Sequence, residues 1–162
     1  MRTGRTGLVA STEQATVAFS EFFSETEPIL RHALGASCGP EVGREAAADA
    51  FEYAWRHWDR VSSMEYPVGY LFRVGRSAAK KYRRTPVVPD PPDEASLPWV
   101  EPGLVPELRR LSDRQRTAVV LRHSFGYTYD EISRVMGVSI PTVQKHVERA
   151  LAKLRHTLEV AS

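Results

Sequence analysis

Gln144, Lys145, Glu148 and Arg149, with His146 at their edge, fall on one side of a stretch with helical periodicity. A polar and basic face of this kind can hydrogen-bond to a nucleic acid: Lys145 and Arg149 can take phosphates or guanine edges, and Gln144 can pair bidentately with adenine. A second basic concentration runs from Arg73 to Arg84 and holds Arg73, Arg76, Lys80, Lys81, Arg83 and Arg84 without one acid. Tyr70 and Tyr82 are interleaved with it. Cations that follow phosphates and rings that stack on bases suit single-stranded nucleic acid, while core or rim positions would explain the two tyrosines equally well. A third group is acidic. Glu45, Asp49 and Glu52 are spaced by four and three and share one side of a helix, as a solvated face or as a binding strip. Catalytic chemistry has no comparable support: Glu13, Glu21, Asp49 and Asp59 make no acid/base pair around a defined pocket. There is no phosphate-cradling Gly loop, no nucleophile elbow and no metal-ligand spacing among the five histidines. The expectation is no enzyme, no metal and no cofactor.

The polar face of residues 144–149 needs a scaffold, and the flanking residues provide one. Thr128 is an N-cap with Glu131 as its capping-box partner. Ile132, Val135 and Met136 give the helix that follows an apolar face. Gly137 supplies a turn, Val138 fills the space between helices, and Ser139 caps a second helix whose first turn tolerates Pro141. Val143, Val147, Ala150, Leu151, Leu154 and Leu158 recur on the side opposite the polar face. Two helices joined by a short Gly turn, with polar and basic residues on the second, make a helix-turn-helix; a plain helical hairpin with a solvated face is the alternative.

Upstream the same logic gives helices alone. Residues 1–10 read as a disordered tail. Ser11 or Thr12 caps a helix carrying Val17, Phe19, Phe22, Phe23, Ile29, Leu30, Ala33 and Leu34, which Pro28 should bend or interrupt. A loop is expected from Gly35 to Pro40, a helix from about Glu41 to Asp59, a loop from Val61 to Tyr66, and a helix starting at Pro67. Residues 85–106 hold seven prolines in 22 residues, with acids and no base. They read as a semi-extended linker with a full reach of roughly 70 Å, about two turns of B-DNA at roughly 34 Å each. Ser112 caps a helix through Leu121. The fold class is therefore all-α: one small helical domain over 11–84, the linker, and a helix-turn-helix domain over 107–162.

Composition bounds the rest. The 162 residues can bury a real core. The net charge of +2 conceals two basic blocks separated by an acidic spacer, which suggests two separate contacts with a polyanion. Cys38 is the only cysteine, so there is no internal disulfide. No apolar run reaches the roughly 20 residues needed to cross a bilayer, and a signal-peptide core is lacking; the expectation is cytoplasmic, with no membrane partner.

Leu111 to Arg155, LSDRQRTAVVLRHSFGYTYDEISRVMGVSIPTVQKHVERALAKLR, closely resembles the fourth conserved region of bacterial sigma factors of the extracytoplasmic-function group. Ala46 to Val61 and Tyr66 to Arg84 resemble the second conserved region. The resemblance implies a sigma factor with core RNA polymerase and promoter DNA as partners. Glu45, Asp49 and Glu52 would bind the clamp of the polymerase largest subunit. Tyr70, Arg73, Arg76, Ser77, Lys80, Lys81, Arg83 and Arg84 would face the promoter element that is opened. The fourth region would dock on the second-largest subunit, with Thr142, Gln144, Lys145, His146, Glu148 and Arg149 facing the upstream element. Arg114, Arg116 and Arg122 would position the DNA backbone. The resemblance leaves room for an anti-sigma factor, which would cover the acidic strip and the basic faces. Ala48, Ser77 and Lys81 depart from the family's usual residues. TVQKHVERALAKL also resembles the DNA-binding domain of LuxR-type regulators, the competing reading, but those carry an α/β receiver or a ligand domain upstream.

Overall fold

The computed structural model describes the backbone of residues 3–83 and 104–160. Among these residues there are eight helices and no strand: α1 (Thr3–Cys38), α2 (Pro40–Arg56), α3 (Trp58–Ser62), α4 (Pro67–Arg83), α5 (Leu104–Arg110), α6 (Asp113–His123), α7 (Tyr129–Met136) and α8 (Ile140–Val160). The all-α, two-domain expectation is met, with α1–α4 forming the N-terminal unit and α5–α8 the C-terminal one.

Leu30, Ala33 and Leu34 of α1, Ala46, Ala47, Ala50, Phe51 and Ala54 of α2, and Leu71, Phe72 and Ala79 of α4 bury their side chains together. Small residues on α2 let the helices approach closely. At the α1–α2 crossing a Cβ on Gly43 would run into the backbone of Gly35. The aromatic residues gather at the other end of α1: Phe19 meets Trp58 edge-on at 5.3 Å and Phe23 meets Phe51 at 4.7 Å. Val17, Phe23 and Trp55 keep a large part of their surface in water there, so the periodicity overstated their burial.

The N-terminal boundaries differ from the sequence reading in four places. α1 extends back to Thr3, through most of the expected tail, because adding a residue to an existing helix costs far less than starting one. Pro28 lies inside α1 without ending it. The expected loop at 35–40 shrinks to Gly39, whose φ of 94° reverses the chain in one residue before Pro40 opens α2. The second expected helix is divided at His57 into α2 and α3, and α3 takes up the start of the expected loop at 61–66.

The C-terminal unit begins at Leu104 rather than Glu107. Pro106 falls in the first turn of α5, where an N–H has no intrahelical acceptor to lose. The rest of the expected linker lies outside the described residues. Leu111, Val119, Ala150 and Leu154 hold α5 and α6 on α8. Ala118, Leu121, Ile132, Val135, Val143 and Val147 belong to the same continuous apolar cluster as Leu30 and Leu71, since α6 packs on α1 and α7 on α4.

Candidate nucleic-acid interface

The helix-turn-helix is pinned at each joint. Ser112 accepts the Gln115 amide at 3.2 Å and starts α6. The Thr128 hydroxyl accepts the Glu131 amide at 3.2 Å, and Glu131 accepts the Thr128 amide at 2.8 Å, completing the capping box expected for α7. Gly137 ends α7 in the left-handed region at φ 67°. The Ser133 hydroxyl donates to the Val138 carbonyl at 2.6 Å and closes the turn. Ser139 accepts the Thr142 amide at 3.3 Å and starts α8. Val143, Val147, Ala150 and Leu154 are buried, and this seats α8 with the opposite face outward.

That outward face carries Gln144, Lys145, Glu148 and Arg149, all exposed. Thr142 is half-buried, its hydroxyl 2.8 Å from that of Ser139. His146 is also half-buried, and neither ring nitrogen finds a partner or solvent. Burial, then the charges of Arg114 and Arg149, push its pKa below the usual histidine value, so the ring is neutral at pH 7. Among the three arginines expected at the DNA backbone, Arg114 is exposed. Arg122 donates to the Tyr127 carbonyl at 3.1 Å and lies over the Tyr129 ring at 4.5 Å. Arg116 is held by carbonyls of α1 and by Asp113.

On α4, Arg73, Ser77 and Lys80 form an exposed stripe, spaced by four and three. Tyr70 is half-buried beneath the guanidinium groups of Arg60, at 5.6 Å, and Arg73, at 5.9 Å, and its hydroxyl meets that of Tyr53 at 2.9 Å. Arg60 and Tyr53 belong to this cluster although no spacing in the sequence joins them to Tyr70. Arg76 turns away to Asp113, at 3.5 Å. The Arg83 side chain and Arg84 lie outside the described residues.

The acidic strip and the basic helix touch. Asp49 pairs with Lys81 at 2.8 Å and accepts the Tyr82 hydroxyl at 2.7 Å. Burial pushes the Asp49 carboxyl up, but the bonds from Lys81 and Tyr82 outweigh it and hold the group below the usual carboxylate range. The same bond to Asp49 raises the pKa of Lys81. Glu52 pairs with Arg56 at 2.6 Å, and Glu45 is exposed. The strip is thus one face, as its spacing indicated, with Asp49 already committed to α4.

Residues 107–154 match the family model described as sigma-70, region 4. Over 152 residues the chain is 28% identical to the RNA polymerase sigma-E factor of Streptomyces avermitilis, covering 87% of this chain and 85% of the relative. It is 27% identical to the sigma-E factor of Streptomyces coelicolor over 151 residues, or 86% and 85% of the two chains. Two solved structures share the fold. One is CnrH in complex with the cytosolic domain of CnrY, with TM-score 0.62, 23% identity, and coverage of 93% of this chain and 96% of that one. The other is the sigma factor RpoE in complex with the anti-sigma factor NepR from Bartonella quintana, with TM-score 0.56, 22% identity, and coverage of 90% and 99%. The similarity extends over both helical units and not the helix-turn-helix alone, which disfavours the LuxR-type reading. The chain belongs to the extracytoplasmic-function group of RNA polymerase sigma factors.

Proposed function

We propose a division of labour within this sigma factor. The unit over 11–84 binds core RNA polymerase and opens the promoter, and the unit over 107–162 reads the upstream element, with the Pro-rich stretch of 85–106 spanning between them. Glu45 and Glu52, with Asp49 between them, present the acidic surface for the clamp of the largest subunit. Arg73, Ser77 and Lys80 present the cationic stripe for the opened strand, with Tyr70 as a stacking ring. Arg76, Lys81, Arg83 and Arg84 belong to the same basic helix end. Gln144, Lys145 and Arg149 read or clamp the upstream duplex, Thr142, His146 and Glu148 frame them, and Arg114 holds the backbone. The protein supplies no bond-making group of its own. It works in the cytoplasm with the polymerase; no helix among the described residues is long and apolar enough to cross a membrane.

The observation that carries this reading is the α8 face. Its polar and basic side chains point outward from a helix fixed at its start by a capped turn and along its length by a buried stripe. The structural neighbours CnrH and RpoE were solved with CnrY and NepR, which supports an inhibitory partner for this chain too. Run-off transcription with purified core polymerase on genomic fragments tests the proposal. Discrete start sites that need this protein are expected. Failure to join core, together with direct binding to a symmetric duplex, would replace the proposal with a conventional regulator.

A further inference from the structure

The two helical units are latched together, and the latch uses residues that the proposed function needs elsewhere. The last carbonyls of a helix have no intrahelical donor, and a cation is favoured beside them. At the end of α1, Arg116 of α6 fills that role: its guanidinium donates to Ala36 at 2.7 Å and to Ser37 at 2.6 Å, while also pairing with Asp113 at 2.6 Å. Its side chain keeps only 18% of its surface in solvent. Asp113 in turn takes Arg76 from α4. Further along, the His32 ring stacks on Phe125 at 3.8 Å and 8°, with Nδ1 3.1 Å from the Tyr127 hydroxyl. At the third point α4 meets α7 backbone to backbone. A Cβ on Gly69 would collide with the Arg134 carbonyl oxygen, and the next nearest atoms are also α7 backbone. The Arg134 guanidinium covers the Tyr66 ring at 5.3 Å.

We infer that this sigma factor rests in a closed, autoinhibited form, in which α6 and α7 cover the α1–α4 face and engage Arg76 and Arg116, and that it must open at this joint before both units can engage promoter DNA. The inhibitory consequence rests on the proposed sigma function; the joint itself does not. Closure satisfies groups that would otherwise face DNA or water: the arginines, the α1 carbonyls and the His32–Tyr127 pair. A linker able to reach two turns of duplex is of use only once the joint has parted.

Gly69→Ala is the sharpest probe. Alanine favours helix over glycine, so α4 itself is not weakened, and the added Cβ meets the other unit alone among its nearest neighbours. The experiment uses the full chain in a Cys38→Ser background with nitroxide labels on Ala48→Cys and Ala152→Cys, both exposed. The parent should give one narrow label distance. Gly69→Ala and, separately, Arg116→Ala should broaden and lengthen it. At limiting protein and fixed core polymerase, Gly69→Ala should raise start-specific transcript by about fivefold or more, the low end of ordinary coupling between sites. A broad distance distribution in the parent would overturn the joint. Opening by Gly69→Ala with no gain in transcript would overturn autoinhibition. Distances as expected with no core-dependent transcript from any variant, parent included, would overturn the sigma function and leave the joint standing.

Discussion

Replacing Lys145 and Arg149 together by alanine should abolish promoter recognition while leaving the fold intact, and the structure sets the size of both effects. The two residues lie one turn apart on the exposed face of α8, and among the described residues neither makes an ion pair or hydrogen bond. Alanine is the best helix former, so the stability change should stay within about 0.5 kcal/mol. The loss on DNA depends on what each side chain holds. A bidentate contact to a base edge is worth about 1–3 kcal/mol, so two would cost about 2–6 kcal/mol, roughly thirtyfold or more in occupancy. A phosphate contact instead contributes about 0.9 to the slope of log affinity against log salt, so losing two would flatten that slope by about 1.8. Run-off transcription titrated with promoter at several potassium chloride concentrations reads both quantities, and a urea melt checks the fold. Parental transcript at every salt concentration, with an unchanged slope, would refute the assignment of this face to DNA. So would a collapsed melt, because these side chains support nothing in the domain.

Charge reversal of Glu45 should weaken binding to core polymerase without altering the melt, since Glu45 is exposed and no ion pair among the described residues uses it; unchanged affinity in a pull-down titration removes it from the clamp surface. Thr128→Ala should cost about 1 kcal/mol in urea unfolding, the ordinary worth of an N-cap, and a loss under about 0.3 kcal/mol would mean the capping box is idle in solution. Acid should loosen the closed form. Burial and then Arg31, opposed by Glu27, hold His32 below its usual pKa. The folded state therefore binds fewer protons than the unfolded one, and this stability is full above about pH 6.5 and declines as pH falls below it. The melting temperature should drop between pH 7.5 and 5.5, and less so in His32→Asn, although His146 titrates in the same sense; a slope unaffected by His32→Asn would contradict the assignment.

The helix-turn-helix was legible because its determinants are local. Thr128 and Glu131, Gly137, and Ser139 with Thr142 each act within a few residues, and a residue type at a fixed offset carries that information. Pro67 marked the start of α4 for the same reason. The α1–α2 junction was misread because Gly35 resembles a loop residue when it is in fact a place where two helices touch, and only Gly39 bends the chain. The joint between the units was not legible at all. Arg116 binds the carbonyls of Ala36 and Ser37, and every residue has a carbonyl, so no side-chain pattern announces the partner. The arginines of α6 and α4 read as basic surface from composition, although Arg116, Arg122 and Arg76 find partners inside the protein.

The apolar cluster that runs unbroken from Leu30 and Leu71 to Leu121 and Ile132 has a consequence for folding cooperativity. Two units that share one interior cannot lose it independently, so the closed chain should melt in a single transition and its slowest-exchanging amides in α4 and α7 should open together. Once the units part, each retains only its own fraction of that interior, and the smaller C-terminal one has the less to lose. An activated sigma factor would then be a less durable molecule than a resting one, with a lifetime set by how soon another surface covers what the joint released.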